Sequence, residues 1–334
     1  MILPAPRTAP LVGGPQLRWG VVGLGEIAGD FVATLHANTN QRVQAVGSRS
    51  VERADRFAAE HGIPNRYGDY RQLVEDPTVD IVYVASVNSE HRALAELAVG
   101  AGKHVLVEKP MGVNAEDTRA IAEAAQRAGV FAMEAMWSRF LPQTDVLRQL
   151  LDDGVLGDIP LVTADFGANF GDDRSAPVFQ EALGGGVLRD IGIYPVWFAR
   201  FVLGSPTAIT VRGSRLDSGL DAQASIILDA REGAQALLST TILADTPTVA
   251  SISGTAARVE VRSPFLMPDG FDIVVGDERQ SWTDRSGLRL REGLCWQATA
   301  IAQHVDDGLT QSPLHTLDDS LAIIETLDSV RSLF

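Results

Sequence analysis

The stretch from residue 17 to residue 37 constrains the fold of this chain more than any other. A short apolar run, residues 17–23, ends on glycine. Gly23-Leu24-Gly25-Glu26-Ile27-Ala28 then leads into residues 26–37, where Ile27, Phe31, Val32 and Leu35 recur at helical spacing. A buried strand that turns through glycines into a helix opens a βαβ unit. The rhythm continues. Strands are expected at 43–47, 80–85, 104–107 and 130–135, with helices at 51–61, 89–101 and 114–128. Such alternation predicts an α/β doubly wound parallel sheet of the Rossmann type. Beyond about Trp137 the pattern changes. One helix (143–151) precedes alternating segments at 160–170, 207–215, 222–229, 234–242, 247–253, 256–262 and 271–276, and two amphipathic helices follow at about 294–307 and 317–333. Arg231-Glu232-Gly233 and Pro268-Asp269-Gly270 supply turns. The second half therefore reads as an α+β domain with a large, mostly antiparallel open sheet. The expected organisation is a mobile arm at 1–16, a dinucleotide-binding domain at 17–136 and a substrate-binding and oligomerisation domain at 137–334.

The glycine turn sits where a dinucleotide site needs it. Gly23 permits the tight turn, Gly25 lets the backbone approach a pyrophosphate, and Ala28 lets helix and strand pack closely. The helix start, at Glu26 and Ile27, offers N–H groups to phosphate. Cofactor choice is set at the end of the second strand, where an acid commonly holds the ribose 2′-hydroxyl of NAD. Here the sequence reads Ala45-Val46-Gly47-Ser48-Arg49-Ser50 and has no acid before Glu52. Arg49 suits adenine stacking and a 2′-phosphate, with Ser48 and Arg53 as further contacts, so NADP is favoured and NAD is the alternative. The bland reading of Arg49 is a solvated loop arginine.

Lysine occurs twice, at Lys103 and Lys109. Glu108-Lys109-Pro110 directly follows the strand 104–107, and the carboxyl ends of strands face the ligand crevice of a doubly wound sheet. Lys109 is thereby aimed at the cofactor, whereas Lys103 ends a helix. Position alone leaves a catalytic role for Lys109 open. The net charge of −15 excludes an extended phosphate-binding surface, so no nucleic-acid partner is expected. One cysteine, Cys295, permits no internal disulfide. No apolar stretch reaches the roughly 18 residues of a membrane span, and a cytoplasmic location is expected. The six histidines lack metal-ligand spacing, so no metal is expected.

Beyond these single motifs, the chain resembles the glucose–fructose oxidoreductase/inositol dehydrogenase (Gfo/Idh/MocA) family. The matching pieces are GLGEIA (23–28), ASVNSEH (85–91), AGKHVLVEKP (101–110), MEAMWSRFLP (133–142) and LGGGVLRDIGIYPV (183–196). MEAMWSRFLP and DIGIYPV point to the branch of dimeric dihydrodiol dehydrogenases and NADP-dependent D-xylose dehydrogenases. The resemblance implies that Lys109 is the central catalytic residue, that Tyr194 exchanges the proton and that Asp190 orients the substrate. It implies that Ser86, Asn88, His91 and Glu108 line the nicotinamide ribose, with Trp137 and Arg139 near the ring. Read without it, Tyr194 and Trp137 are core residues, Asp190 is a helix N-cap and His91 simply begins a helix. Two positions depart from the family: Val87 stands where many members have proline, and Arg189 where many have an aliphatic residue.

The resulting expectation is an NAD(P)-dependent oxidoreductase acting on the hydroxyl of a carbohydrate, polyol or cyclic diol. A non-catalytic NADP sensor or scaffold on the same fold is the alternative. A sheet covered by helices on one face leaves apolar surface to bury, so a homo-oligomer, dimer or tetramer, joined through the C-terminal sheet is expected.

Overall fold

The computed structural model describes residues 2–171 and 173–334. By contacts the chain forms two compact units, each assembled from separated stretches. One comprises Thr8–Leu141 and Arg291–Leu321; the other comprises Pro142–Leu290, Ala322–Phe334 and the first residues up to Arg7. The sequence suggests a single cut at 136/137 instead. Residues 291–321 lie after a long polar loop, and nothing in their local pattern announces a return to the first sheet.

The first unit runs β1 (Arg18–Val22), α1 (Glu26–Asn38), β2 (Arg42–Gly47), α2 (Val51–His61), β3 (Asn65–Tyr67), α3 (Tyr70–Val74), β4 (Ile81–Val84), α4 (His91–Gly100), β5 (His104–Val107), α5 (Ala115–Ala128) and β6 (Ala132–Glu134). The strands are parallel in the order β3-β2-β1-β4-β5-β6, the order of a Rossmann fold. Strands β1, β4 and β5 are apolar on both faces because helices cover both sides, and Ile81 to Val84 are fully buried. Trp19, Phe31 and Tyr83 form a buried aromatic row with centroids 5.3 and 4.3 Å apart. Burying each such side chain contributes about 1.5–3 kcal/mol. The strand order reverses between β1 and β4, and Ser48, Ser86 and Lys109 lie one or two residues past the carboxyl ends of β2, β4 and β5, at the same edge. Later in the chain, Thr310 O accepts a hydrogen bond from Ala132 N, so residues 309–320 flank the outer strand β6.

The second unit contains α6 (Pro142–Asp152), β7 (Leu161–Gly167), α7 (Ile193–Leu203), β8 (Ala208–Arg215), β9 (Asp221–Asp229), β10 (Gln235–Thr241), β11 (Ala250–Ser253), β12 (Arg258–Val261), β13 (Gly270–Val275) and β14 (Glu278–Thr283). Its eight strands run β14-β13-β12-β11-β7-β10-β9-β8, all antiparallel except the β7–β10 pair. The helix α7 covers β7 and β10 on one face. On β9 the residues Ala222, Ala224, Ile226 and Leu228 are buried, while Gln223, Ser225 and Ile227 alternate outward. The outward face carries Ile227, Leu237 and Val249, all exposed, around a groove of about 410 Å³. The last two helices are α8 (Cys295–Asp306), in the first unit, and α9 (Leu317–Ser332), whose residues from Ala322 onward belong to the second.

Residues 2–16 form no helix or strand and hydrogen-bond to folded segments. In the first unit Gly13 N donates to Asn40 Oδ1 (2.9 Å) and Gln41 Nε2 to Pro15 O (2.8 Å). In the second, Arg7 N donates to Asp145 Oδ2 (2.7 Å) and Gln149 Nε2 to Ala5 O (2.9 Å). Among the described residues no helix is long and apolar enough to cross a membrane.

Candidate active site

The glycine turn is built by two glycines with different constraints. Gly23 has φ +83°, and a Cβ there would lie 2.4 Å from Ser86 N and 2.5 Å from Ala85 C. A side chain would collide with the backbone at the end of β4. Gly25 has φ −88° and ψ −173°, is exposed, and has nothing within 4 Å of a built Cβ. It heads α1 and, as glycine, supplies no side-chain cap to the N–H groups of the first turn. Ala28 is fully buried, and Ile27 is half-buried. An open backbone cradle at the positive end of a helix fits a pyrophosphate, and a Cβ at residue 25 would narrow it. Glu26 points outward and shares Arg291 with Asp30, at 2.7 and 2.6 Å.

At the end of β2, Ser48 is buried and its Oγ accepts from Ser50 N (3.2 Å), while Ser50 Oγ caps α2 through Arg53 N (3.2 Å). Arg53 Nη2 donates to Leu24 O at 2.9 Å, bracing the glycine turn. Arg49 is exposed and pairs with Glu90 Oε1 at 3.1 Å. An exposed pair of this kind contributes less than about 1 kcal/mol, so it exchanges easily for another anion.

The ends of β4 and β5 carry a buried polar network. Lys109 is half-buried, and its backbone N donates to Glu108 Oε2 (3.1 Å). Glu108 is buried, and its Oε1 accepts from Tyr83 Oη (2.5 Å). Burial pushes the Glu108 carboxyl above its usual range, against the pull of the Lys109 charge and the Tyr83 hydroxyl. His91 begins α4 and is completely buried. Its Nδ1 lies 2.9 Å from Pro110 O and its Nε2 3.1 Å from Ser86 O. Burial pushes its pKa down although both carbonyls favour the protonated ring. Both ring nitrogens are thus engaged by backbone, and His91 ties the loop after β4 to the loop after β5. Ser86 and Asn88 are half-buried in the same turn. Trp137 and Arg139 lie in a short 3-10 helix (Trp137–Phe140) and are buried; Trp137 packs against Gly293.

In the second unit, Asp190 lies in a π-helical turn, Leu188–Gly192, that runs directly into α7. It stands inside the turn, not at a helix N-cap. π-Turns recur at functional sites because they re-aim side chains. Tyr194 is buried, with its ring 6.0 Å from that of Phe166. Residues four apart lie on one side of a helical segment, so Asp190 and Tyr194 share a side. Arg189 is buried, its Nη1 3.5 Å from Gly185 O.

The family models meet this architecture directly. Residues 17–136 match "Oxidoreductase family, NAD-binding Rossmann fold" of the GFO/IDH/MocA group, and residues 144–260 match the GFO/IDH/MocA C-terminal domain. The chain belongs to the GFO/IDH/MocA oxidoreductase family. It is an NAD(P)-dependent oxidoreductase. Among its relatives in this family, trans-1,2-dihydrobenzene-1,2-diol dehydrogenase of Macaca fuscata fuscata is 35% identical over 324 residues, covering 94% of this chain and 96% of the relative. The human enzyme of that name is 34% identical, again over 94% and 96%. Of the solved structures, a 3-ketoreductase from Actinomadura kijaniata in complex with NADP and TDP-benzene is 28% identical, with TM-score 0.81, over 95% of this chain and 97% of that one.

In this GFO/IDH/MocA member, three residues that no sequence motif singles out hold the site segments. Asp221 Oδ2 accepts from Leu188 N at 2.8 Å and so supports the turn bearing Asp190. Glu134 and His315 are buried together, 2.9 Å apart. A lone acid in the otherwise apolar run 130–135 is the sequence signal that could have pointed to Glu134. His315 carries no local signal.

Proposed function

We propose that this enzyme oxidises, reversibly, a secondary hydroxyl of a carbohydrate, polyol or cyclic diol, with NADP as the preferred cofactor. The observation that carries this reading is Lys109, half-buried just past the carboxyl end of β5 on the edge that also bears the glycine cradle. The substrate class follows the names of the relatives, a dihydrodiol dehydrogenase and a ketoreductase.

Gly23, Gly25, Glu26, Ile27 and Ala28 form the turn for the pyrophosphate. Ser48, Arg49 and Arg53 serve the adenosine end, while Ser86, Asn88, His91, Glu108, Trp137 and Arg139 shape the nicotinamide end. The bound cofactor accepts or returns a hydride. Lys109 holds the hydroxyl oxygen and lowers its pKa through its positive charge. Tyr194 takes up and returns the hydroxyl proton, and Asp190 orients the substrate. Tyrosine ionises near pH 10 when isolated, so a cation is needed to bring it into use near neutrality. Lys109 supplies that cation in this reading, and the two residues act as one unit. NADP is favoured because Arg49 follows β2 where an acid would otherwise repel a 2′-phosphate. A homodimer through the outward sheet face buries Ile227, Leu237 and Val249. A cytoplasmic location suits a chain with a single cysteine.

Lys109→Met and Tyr194→Phe test the chemistry. Lys109→Met is expected to abolish most turnover of trans-1,2-dihydrobenzene-1,2-diol with NADP while leaving NADP binding largely intact. Tyr194→Phe should cost roughly 10²-fold or more, and the double variant should be little worse than Lys109→Met. Near-normal turnover in Tyr194→Phe would make Tyr194 a packing residue.

A further inference from the structure

Glu134 closes β6 at 2% exposure, and both of its oxygens are engaged. Oε1 accepts a hydrogen bond from Met111 N at 2.8 Å, two residues past Lys109. Oε2 lies 2.9 Å from Nε2 of His315, which is itself buried. Ser320 Oγ lies 3.1 Å from the same Nε2, and His315 N donates to Ser312 Oγ at 3.3 Å. The carboxylate is thus suspended between the loop after β5 and the segment 312–320. Burial alone would raise the Glu134 pKa, but the His315 hydrogen bond and charge, the Met111 N–H and the Ser320 hydroxyl outweigh it and leave the group below its usual range. On the other side of the same loop, Pro110 O is met by His91 Nδ1 at 2.9 Å. Lys109 therefore stands in a loop gripped from two sides by buried side chains that do not themselves reach solvent.

We propose that Glu134 is a positioning residue for Lys109, and that His315 orients it by holding Oε2 while Oε1 fixes the Met111 backbone. The proposal rests on Lys109 being the catalytic lysine. A carboxylate at the end of a strand has a rigid origin, and a backbone N–H two residues from the lysine sets the direction in which that side chain leaves the loop. A small misplacement of a reacting group has a large effect on the chemical step and a small one on cofactor affinity. The acid in the strand and the distant histidine are both needed, because a buried carboxylate without its partner is strongly disfavoured.

The test uses the full-length enzyme with NADP, with trans-1,2-dihydrobenzene-1,2-diol as the alcohol. Two readouts are followed: kcat against KM, and amide hydrogen exchange of Met111. Glu134→Leu is expected to speed Met111 exchange at least tenfold and to lower kcat about tenfold or more, with KM for NADP changed less than about threefold. Glu134→Gln keeps an acceptor for Met111 N and should recover most of both. A folded Glu134→Leu enzyme with wild-type kcat and wild-type Met111 exchange would overturn the proposal. If Glu134→Leu does not fold, His315→Gln and Ser320→Ala decide. Faster Met111 exchange with a reduced kcat in either supports it, and wild-type behaviour in both overturns it. Failure of the underlying reading is seen separately: Lys109→Met would then keep its turnover, while Met111 exchange would still report whether Glu134 holds the loop.

Discussion

Gly23 and Gly25 are two residues apart, yet alanine at each should produce opposite signatures. At Gly23 an alanine must adopt φ near +83°, which costs about 1–2 kcal/mol for an L-residue. Its Cβ must also displace Ser86 N, Ala85 C and Ala85 O, which lie within 2.4–2.6 Å. These are backbone atoms at the end of a buried strand, so they cannot swing away, and such overpacking adds about 1–3 kcal/mol. The total, about 2–5 kcal/mol, corresponds to a fall of roughly 5–15 °C in the unfolding midpoint of a unit of this size. At Gly25 the backbone is already extended and the space is empty. Alanine there restricts the unfolded chain and should leave the cofactor-free midpoint unchanged or raise the stability by about 0.4–1 kcal/mol. Its methyl group, however, stands in the cradle. A tenfold loss of NADP affinity, about 1.4 kcal/mol, is the expected minimum. Thermal melts without cofactor and fluorescence titration with NADP give the two numbers. Gly25→Ala with wild-type affinity would refute the assignment of the cradle, and Gly23→Ala with an unchanged midpoint would refute the steric argument.

The cofactor assignment predicts that Arg49→Ala weakens NADP more than NAD, and that Glu90→Gln, which releases Arg49 from its 3.1 Å pair, strengthens NADP; titration of both cofactors checks the pair, and tighter NAD than NADP binding in the wild type counts against it. Because burial lowers the His91 pKa, the unfolded chain takes up a proton below about pH 6.5 that the folded state refuses, so this residue removes stability, by up to about 1.4 kcal/mol per pH unit, as pH falls through that value. Glu108, with its raised pKa, acts in the opposite direction, so the comparison is made between variants: the fall in urea midpoint from pH 7.5 to 5.5 should be smaller, or the rise larger, in His91→Asn than in the wild type, and equal changes would contradict it. Light scattering at micromolar concentration should give twice the monomer mass, and Leu237→Lys, on the outward sheet face, should give a folded monomer; a monomeric wild type would end the dimer reading.

The parts of the fold that the sequence displays are those in which burial is local and continuous. The runs around Val21, Val82 and Leu106 are apolar on both faces, so their strands declare themselves. Asn65–Tyr67 is three residues long and partly exposed, and Glu278–Thr283 is a polar edge strand; neither carries a periodic signal, and neither is anticipated. The helix after Asp190 is legible, but the π-turn before it is not, because Leu188-Arg189-Asp190-Ile191-Gly192 fits an ordinary helix equally well. Lys109 is visible because lysine is scarce and follows a strand. The roles of His91 and Glu134 are not, since each depends on a backbone atom brought close by the fold: Pro110 O for one and Met111 N for the other.

The return of residues 291–321 to the first sheet also sets a schedule for biosynthesis. When the ribosome has released β6, all six parallel strands exist, but Glu134 has no His315 and Ala132 N has no Thr310 carbonyl. Both partners emerge only after the whole eight-stranded sheet has been translated, roughly 10–40 s later at about 5–20 residues per second. Through that interval the nascent sheet carries a carboxylate at its outer strand that must remain hydrated, so β6 cannot be sealed early. The lysine loop beside it therefore acquires its final shape late, after the second sheet has had time to form.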